Sequence, residues 1–332
     1  MTYFFACPGK FLLHLQKANR MKRNVFILGN PDGKYVRQLV KTAPLDQHTT
    51  VHCFSELSSS ITTGIHTPQF ATFYTKGEEF SKSLSCDVVF IGDKQVLPQD
   101  QVIVRTMSSG SLESIVFRMD VLWAIQSQGT TVFNPPKSLE IAIDKYLCLT
   151  RLAKAGLPVP PTHSSQDWET ALQGFQVLGG DVVVKPLFGS EGRGLIRVCD
   201  EDHAIRVFRS LETLNGVIYQ QKFIQHENVD TRVLILGNQH WAIQRSHASD
   251  WRTNTSRGAA SKPVQLSSET LELAIAAAKC LGIPFAGVDL VWDTLTRQHY
   301  VLEVNGVPGW DGVATACSVD IAKAIWDYLQ EF

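Results

Sequence analysis

The sequence predicts an open α/β sheet at its N-terminal end, followed by hairpins and packed helices. Three observations carry that expectation. Residues 24–30 (Asn-Val-Phe-Ile-Leu-Gly-Asn) and 87–92 (Asp-Val-Val-Phe-Ile-Gly) are short apolar runs that reach a glycine, the form of buried strands that alternate with helices. Residues 232–236 and 240–245 flank Gly237 and Asn238, a hairpin pattern. Residues 286–292 and 300–305 are apolar runs on either side of a polar stretch from Asp293 to His299, which reads as a second hairpin.

Composition bounds the class. The 332 residues suffice for two or three domains. Hydrophobic residues make up 44% and charged residues 19%, as in folded globular chains. A net charge of −1 offers no basic surface for nucleic acid. The seven cysteines are odd in number and form no CxxC pair. That argues against a disulfide framework or zinc site and for a reducing, cytoplasmic setting. No apolar run approaches the ~18 residues that span a bilayer, so no membrane association is expected. Phe11-Leu12-Leu13-His14-Leu15 lacks a preceding basic region and a clear cleavage site, which disfavours a signal peptide. Met21-Lys22-Arg23 leads straight into the first strand, so residues 1–20 read as an N-terminal extension.

The elements follow in order. Gly29-Asn30-Pro31-Asp32-Gly33 is not a GxGxxG fingerprint; it reads as scaffold, with substrate contacts at the strand ends as the alternative. Ser111 is expected to cap a helix striped by Ile115, Met119, Leu122 and Trp123 and ended by Gly129. Asn134-Pro135-Pro136 reads as a linker. A single helix is then expected to place Leu139, Ala142, Tyr146, Leu149 and Ala153 on one face, closed by Gly156 and Pro158. Residues 157–162 form an extended connector. Residues 181–224 read as strand, glycine loop, strand, helix and strand. A helix over about 268–281 presents Leu271, Ala274, Ile275 and Ala278 together, and a last helix from about Ser318 carries Ile321, Ile325 and Leu329.

Chemistry concentrates in a few segments. Strand side chains alternate faces, so Glu303 and Asn305 point the same way. With the hairpin tip near Thr296, Asp289 falls opposite Glu303. Three oxygen ligands then meet on an apolar sheet, where carboxylates are costly unless paired or bound to a cation. Such hard oxygens suit Mg²⁺; a polar cluster tied to backbone amides is the alternative. Lys185 ends an apolar strand, and Phe188-Gly189-Ser190-Glu191-Gly192-Arg193-Gly194 follows directly. Three glycines allow backbone N–H groups to close over an anion, and Lys185 adds a point charge for a phosphate. The plainer reading is a glycine turn beside a surface lysine. Lys145 alone reads as a solvated helix residue. Gln220-Gln221-Lys222-Phe223-Ile224 ends a strand whose backbone could meet an adenine. Asp230 could take a ribose hydroxyl or simply open a turn. Arg245, Asp250-Trp251-Arg252-Thr253-Asn254 and Arg257-Gly258 form an arginine-rich passage suited to carboxylate or phosphate, or a solvated loop.

Taken together, these segments resemble the ATP-grasp superfamily, and within it the RimK-like amino-acid ligases, from about Arg105 to the C-terminus. The matching motifs run in the family order: Asp144-Lys145, Gly156-Leu157-Pro158-Val159-Pro160, Val184-Lys185 with the glycine loop, Gln221-Lys222-Phe223-Ile224, Asp230-Thr231-Arg232, Arg252-Thr253-Asn254, Arg257-Gly258, and Asp289 with Glu303-Val304-Asn305. The resemblance implies α/β plus α+β architecture: the ATP-grasp fold with an N-terminal Rossmann-like domain at 21–134, a lid subdomain at 135–224 and a C-terminal subdomain with the metal site at 225–332. It implies ATP and Mg²⁺ (two ions, with Mn²⁺ able to substitute). Lys145, Lys185, Gly189, Ser190, Gly192, Arg193 and Gly194 would serve the phosphates. Gln221, Lys222, Phe223 and Ile224 would border adenine, and Asp230 would take the ribose. Arg252, Asn254 and Arg245 would act at the triphosphate and acceptor, and Asp289, Glu303 and Asn305 would hold the metal. The family has Glu where Lys222 stands, which bears on side-chain contacts there rather than on backbone recognition.

The implied reaction joins a carboxylate to an amine through an acyl phosphate, with L-glutamate as the amine. A small-molecule acceptor and a homo-oligomer are expected. Arg105-Thr106-Met107-Ser108-Ser109-Gly110-Ser111-Leu112-Glu113, Phe117-Arg118-Met119-Asp120 and Val307-Pro308-Gly309-Trp310 resemble the tetrahydromethanopterin-associated branch; a peptide C-terminus is the other acceptor. The tryptophans could stack on a flat ring or pack in the core. An ATP-binding sensor without ligation is the rival from another class, and a dehydrogenase a third.

Overall fold

The computed structural model describes residues 23–61, 87–189, 192–253 and 258–331; residues 1–20, Ser190, Asn254 and Arg257 of the expectations above lie outside them. The chain divides into two compact units, Met1–Phe133 and Asn134–Phe332. No helix among the described residues is long and apolar enough to cross a membrane.

The first unit is built from β1 (Asn24–Leu28), α1 (Lys34–Thr42), β2 (His48–His52), β3 (Leu57–Ile61), β4 (Asp87–Ile91), β5 (Lys94–Gln95), β6 (Gln101–Val104), α2 (Leu112–Ser127) and β7 (Thr131–Phe133). β2, β1, β6 and β7 form a sheet in that order, parallel at every pairing. Val25, Phe26, Ile27 and Leu28 are fully buried, as expected for a strand covered on both faces. The run at 87–91 departs from expectation: it joins a separate antiparallel sheet with β3 and β5. Its sequence is as apolar as β1, and apolarity reports burial rather than sheet membership. Ser111 caps α2 by accepting from the Ser114 amide. Met119 and Leu122 are buried, but Trp123 is 41% exposed.

The second unit begins at Asn134. This residue is not a loose linker. It is buried, its amide donates to the Phe285 and Gly306 carbonyls, and its oxygen accepts from the Phe285 amide. The single helix expected next is two, α3 (Pro136–Ile143) and α4 (Lys145–Lys154). Asp144 breaks them with extended backbone, and its carboxylate accepts from the Leu147 amide as the cap of α4. The break leaves Tyr146 54% exposed and Ala153 exposed; Leu149 is buried as expected, together with Cys148 and Leu152.

A four-stranded sheet follows, in the order β10 (Ile196–Val198), β9 (Val182–Lys185), β11 (Ile218–Lys222) and β8 (Thr162–Ser165). One face packs on α5 (Trp168–Val177) and α6 (Glu201–Thr213) through Val182, Val184, Val198 and Ile218. The alternating face, carrying Val183, Lys185, Tyr219 and Gln221, is thereby left for other purposes.

A five-stranded antiparallel sheet has the order β14 (Ala260–Pro263), β13 (Gln239–Ser246), β12 (Val229–Leu236), β15 (Phe285–Asp293) and β16 (Gln298–Asn305). Both expected hairpins are present. The core beneath combines Val233, Ile235, Val288, Leu290 and Val304 with α3, α4 and α7 (Ser268–Cys280). In α7 the buried residues are Thr270, Ala274, Ala277 and Ala278, while Ile275 is 43% exposed. α8 (Asp311–Cys317) precedes α9 (Ile321–Leu329). Ser318 ends α8 in the left-handed conformation rather than starting α9, which Asp320 caps.

Candidate active site

One cleft in the second unit is lined by Lys145, Lys185, Gly189, Gly192, Arg193, Tyr219, Leu302 and Glu303, and Ala142 and Cys148 also line it. Local rules bring these residues together. Lys145 opens α4, directly after the Asp144 cap, and its Nζ donates to the Gly189 carbonyl at 2.8 Å. The helix lysine therefore braces the glycine loop. Gly189, Gly192 and Gly194 all have positive φ, and a Cβ at Gly194 would lie 2.8 Å from Pro186 Cγ. The loop path needs these glycines.

Lys185 projects from the end of β9. Its Nζ donates to Gln221 Oε1 at 2.5 Å. Burial pulls its pKa down from 10.5 to about 8; Glu303 and Asp289 oppose the shift, and Lys145 adds to it. Burial pushes the Cys148 thiol up to about 12, so it is no nucleophile at neutral pH.

The hairpin register pairs Asp289 with Glu303 and Gly287 with Asn305, and a bulge after Asp289 places an extra residue, Leu302, in β16. Asp289 is the centre of a charged ladder. Arg232 donates to its two oxygens at 2.7 Å each, and Arg245 lies 3.1 Å from Oδ1. Arg245 also grips Asp230 through both oxygens, at 2.7 and 2.5 Å, and Thr253 donates to Asp230 at 2.6 Å. Burial alone would raise the Asp289 carboxyl, but the two guanidinium groups outweigh it and hold it below the usual range. Burial also raises Asp230, against the pull of an Arg245 that it shares with Asp289.

The donor set suits a hard cation. Asp289 Oδ2 accepts only from Arg232 among the described residues, and Glu303 lines the cleft. Asn305 reaches Glu303 Oε1 and Arg232, each at 3.2 Å, in the amide orientation that satisfies both. Hard oxygens on adjacent strands with one open carboxylate fit Mg²⁺ completed by water and phosphate. Among the described residues, no cluster of three His, Cys, Asp or Glu side chains is placed to hold a metal ion, so the set here is two carboxylates and the Asn305 amide.

Other expected residues sit apart from the cleft lining. Asp230 is not open to a ribose here: it is 6% exposed, with its carboxylate engaged by Arg245 and Thr253. Arg245, at 2% exposure, is likewise a strut between two aspartates. Arg252 lies against Asp250, with Nε 3.0 Å from Oδ1. Lys222 is exposed, and its N–H donates to Pro161 while that of Phe223 donates to Asp181. Ile224 is then the first amide past the strand ladder. The Phe223 ring is covered at 3.5 Å by the Arg197 guanidinium, which Asp181 anchors, and met edge-on by Trp251. Trp310 is 1% exposed and packs on Phe285, so of the two readings it takes core packing.

Arg232, Thr162 and Tyr219 carry weight that the sequence did not assign. For Arg232 a signal existed. Counting outward from the Gly237-Asn238 turn pairs Asp230 with Arg245, and Arg232, two residues on, shares the face of Asp230. Strand β15 then brings Asp289 opposite Arg232.

Residues 142–329 match the model of the RimK-like ATP-grasp domain. Over 259 residues the chain is 34% identical to a tetrahydromethanopterin:α-L-glutamate ligase of Methanosarcina acetivorans, covering 70% of this chain and 80% of the relative. It is 30% identical over 282 residues to a probable α-L-glutamate ligase of Haemophilus influenzae, covering 84% and 86%. Among solved structures, the ATP-grasp ligase PsnB in complex with its precursor peptide and AMPPNP superposes with a TM-score of 0.67 at 18% identity, covering 94% of this chain and 98% of that one. D-alanine–D-alanine ligase of Bacillus anthracis, with ATP, gives 0.63 at 17% identity, covering 94% and 97%. Paired with a glycine loop, two lysines and an oxygen-rich hairpin around one cleft, these matches establish that the chain belongs to the RimK-like ATP-grasp family of ligases.

Proposed function

We propose that this ATP-dependent ligase attaches L-glutamate to a carboxylate acceptor through an acyl phosphate. The observation that carries the reading is the convergence of Lys145, Lys185, the glycine loop and Glu303 on one cleft. The lysines and the glycine loop suit phosphates, and the Glu303 carboxylate in the same lining suits the metal that accompanies them.

In this reading the acceptor carboxylate oxygen attacks the γ-phosphorus. An O–P bond forms, the bond to the bridging oxygen breaks, and ADP leaves. The amine of glutamate then attacks the acyl carbon. A C–N bond forms, phosphate departs with the C–O electron pair, and the nitrogen loses a proton. Such transfer is governed by positioning and charge neutralisation. Lys185 and Lys145 would hold phosphate oxygens, and Arg193 and Arg252 would supply further positive charge. Glu303, Asp289 and Asn305 would hold Mg²⁺, which when bound neutralises the phosphate charge. Arg232 would keep Asp289 ionised and aimed. Phe223 and Ile224 would border the adenine. Asp230 and Arg245 act here as a brace behind Asp289.

The acceptor is proposed to be a pterin of the tetrahydromethanopterin type, since a relative of that name is 34% identical; a peptide C-terminus is the second option. The test is ADP release with L-glutamate and either acceptor, with mass spectrometry of the product. Lys185→Ala and Glu303→Ala should each abolish amine-dependent ADP release while leaving circular dichroism unchanged. Full activity in either variant would sink the assignment, and tight ATP binding without turnover of any acceptor would favour a non-catalytic module.

A further inference from the structure

Gln221 and Gln220 are neighbours in the sequence with opposite surroundings. β11 alternates, so Gln220 faces α5 and donates through Nε2 to the Ala171 carbonyl at 2.6 Å. Gln221 faces the cleft side, directly opposite Thr162 on β8. On β9, Lys185 stands opposite Tyr219, two residues before Gln221 and therefore on the same face.

The resulting chain of hydrogen bonds has one direction. The Pro160 carbonyl can only accept, and the Thr162 hydroxyl donates to it at 2.9 Å. A hydroxyl has one proton, so with that proton given to Pro160, Thr162 Oγ1 offers only lone pairs to Gln221 and to the Tyr219 side chain, which also bonds it. The amide must turn its NH₂ to Thr162, at 3.2 Å. Its carbonyl oxygen is thereby presented to Lys185 Nζ, at 2.5 Å. Gln221 is 2% exposed, so water does not compete for either end.

We propose that Gln221 is a positioning residue that acts through Lys185: a buried, neutral acceptor whose orientation is set by Thr162 and Pro160 and which aims the ammonium into the nucleotide cleft. The proposal rests on reading that cleft as the ATP site. Neutrality is the point of the arrangement. An ammonium has three N–H donors; one is fixed by Gln221 and two remain for phosphate oxygens. A glutamate of the same length would hold the lysine equally well but cancel its charge, and would compete with phosphate for it.

The test uses the full chain and calorimetric binding of Mg²⁺·ADP and of adenosine, which lacks phosphate. Gln221→Glu should weaken ADP by about tenfold to a hundredfold, the scale of one charge-assisted hydrogen bond, and change adenosine by no more than about twofold. Gln221→Met keeps length and removes the acceptor, and Thr162→Val frees the amide to rotate. Both should weaken ADP by about threefold to tenfold, again sparing adenosine. In a Lys185→Met background the Gln221→Glu change should lose most of its effect on ADP, because the residue acts through the lysine. Equal losses for ADP and adenosine, or an undiminished effect in the Lys185→Met background, would overturn the proposal. A wild-type chain that binds neither ligand would instead overturn the ATP-site reading, and this one with it.

Discussion

At the residue scale, half-buried Lys185 and buried Arg245 behave differently because their neighbours differ. Lys185 has a neutral amide as its direct partner, and burial leaves its pKa at about 8. Phosphate binding needs the ammonium, so ADP affinity should fall as pH rises through about 8, measured by calorimetry at constant ionic strength; an affinity flat to pH 9.5 would contradict it. For stability the sign is reversed. The folded pKa lies below the unfolded value of 10.5, so the unfolded chain binds more protons between the two. The cost of burying this charge is full below about pH 8 and is relieved as pH climbs toward 10.5. Arg245, by contrast, is gripped by Asp230 and Asp289. Replacing it with Met would leave buried Asp230 with only the Thr253 hydroxyl, Asp289 keeping Arg232, and should lower unfolding free energy by about 3–5 kcal/mol, read from urea denaturation. The Asp230–Arg245 rung could be deduced from the Gly237-Asn238 turn, since hairpin register follows from turn length; the Asp289 rung needed the pairing of β12 with β15.

At the element scale, Gly174 sits inside α5, where alanine would ordinarily favour the helix by about 0.5–1 kcal/mol. Here a Cβ would lie 2.3 Å from His163 Nδ1 on β8, closer than any non-bonded contact. Gly174→Ala should therefore destabilise, by about 1–3 kcal/mol as overpacking does, and His163→Ala combined with it should recover much of the loss in thermal melts. A helix-propensity gain would count against this packing. The same scale explains the split of α3 from α4. The apolar spacing runs unbroken through Asp144, yet an aspartate is a better cap than a helix interior residue, and its carboxylate takes the Leu147 amide. The cap also decides which face is buried, and it places Lys145 in the first turn, beside the glycine loop.

At the scale of the whole molecule, ligand should act on the second unit by mass action. Mg²⁺·ADP at about a hundred times its Kd should add about 2.7 kcal/mol of stability. In hydrogen exchange, the protection should centre on β9, β11 and β16; protection elsewhere in that unit without these strands would misplace the cleft. Much of this was legible in the chain itself. Continuous apolar runs and turn residues specified β1, the two hairpins and the Asp289–Glu303 pairing, and the motif order pointed to the family. These are local signals, carried by residues close in sequence. Other outcomes were decided only by tertiary structure. The 87–91 strand joined a second sheet because any apolar strand can pair with more than one edge. Trp310 went to the core, and Asn134 became a buried bracket, because burial depends on what packs from elsewhere in the chain. Asp230 and Gln221, both plausible nucleotide contacts by position, instead hold Arg245 and Lys185. Sequence determines which groups can bond; only the folded chain determines which partner arrives first.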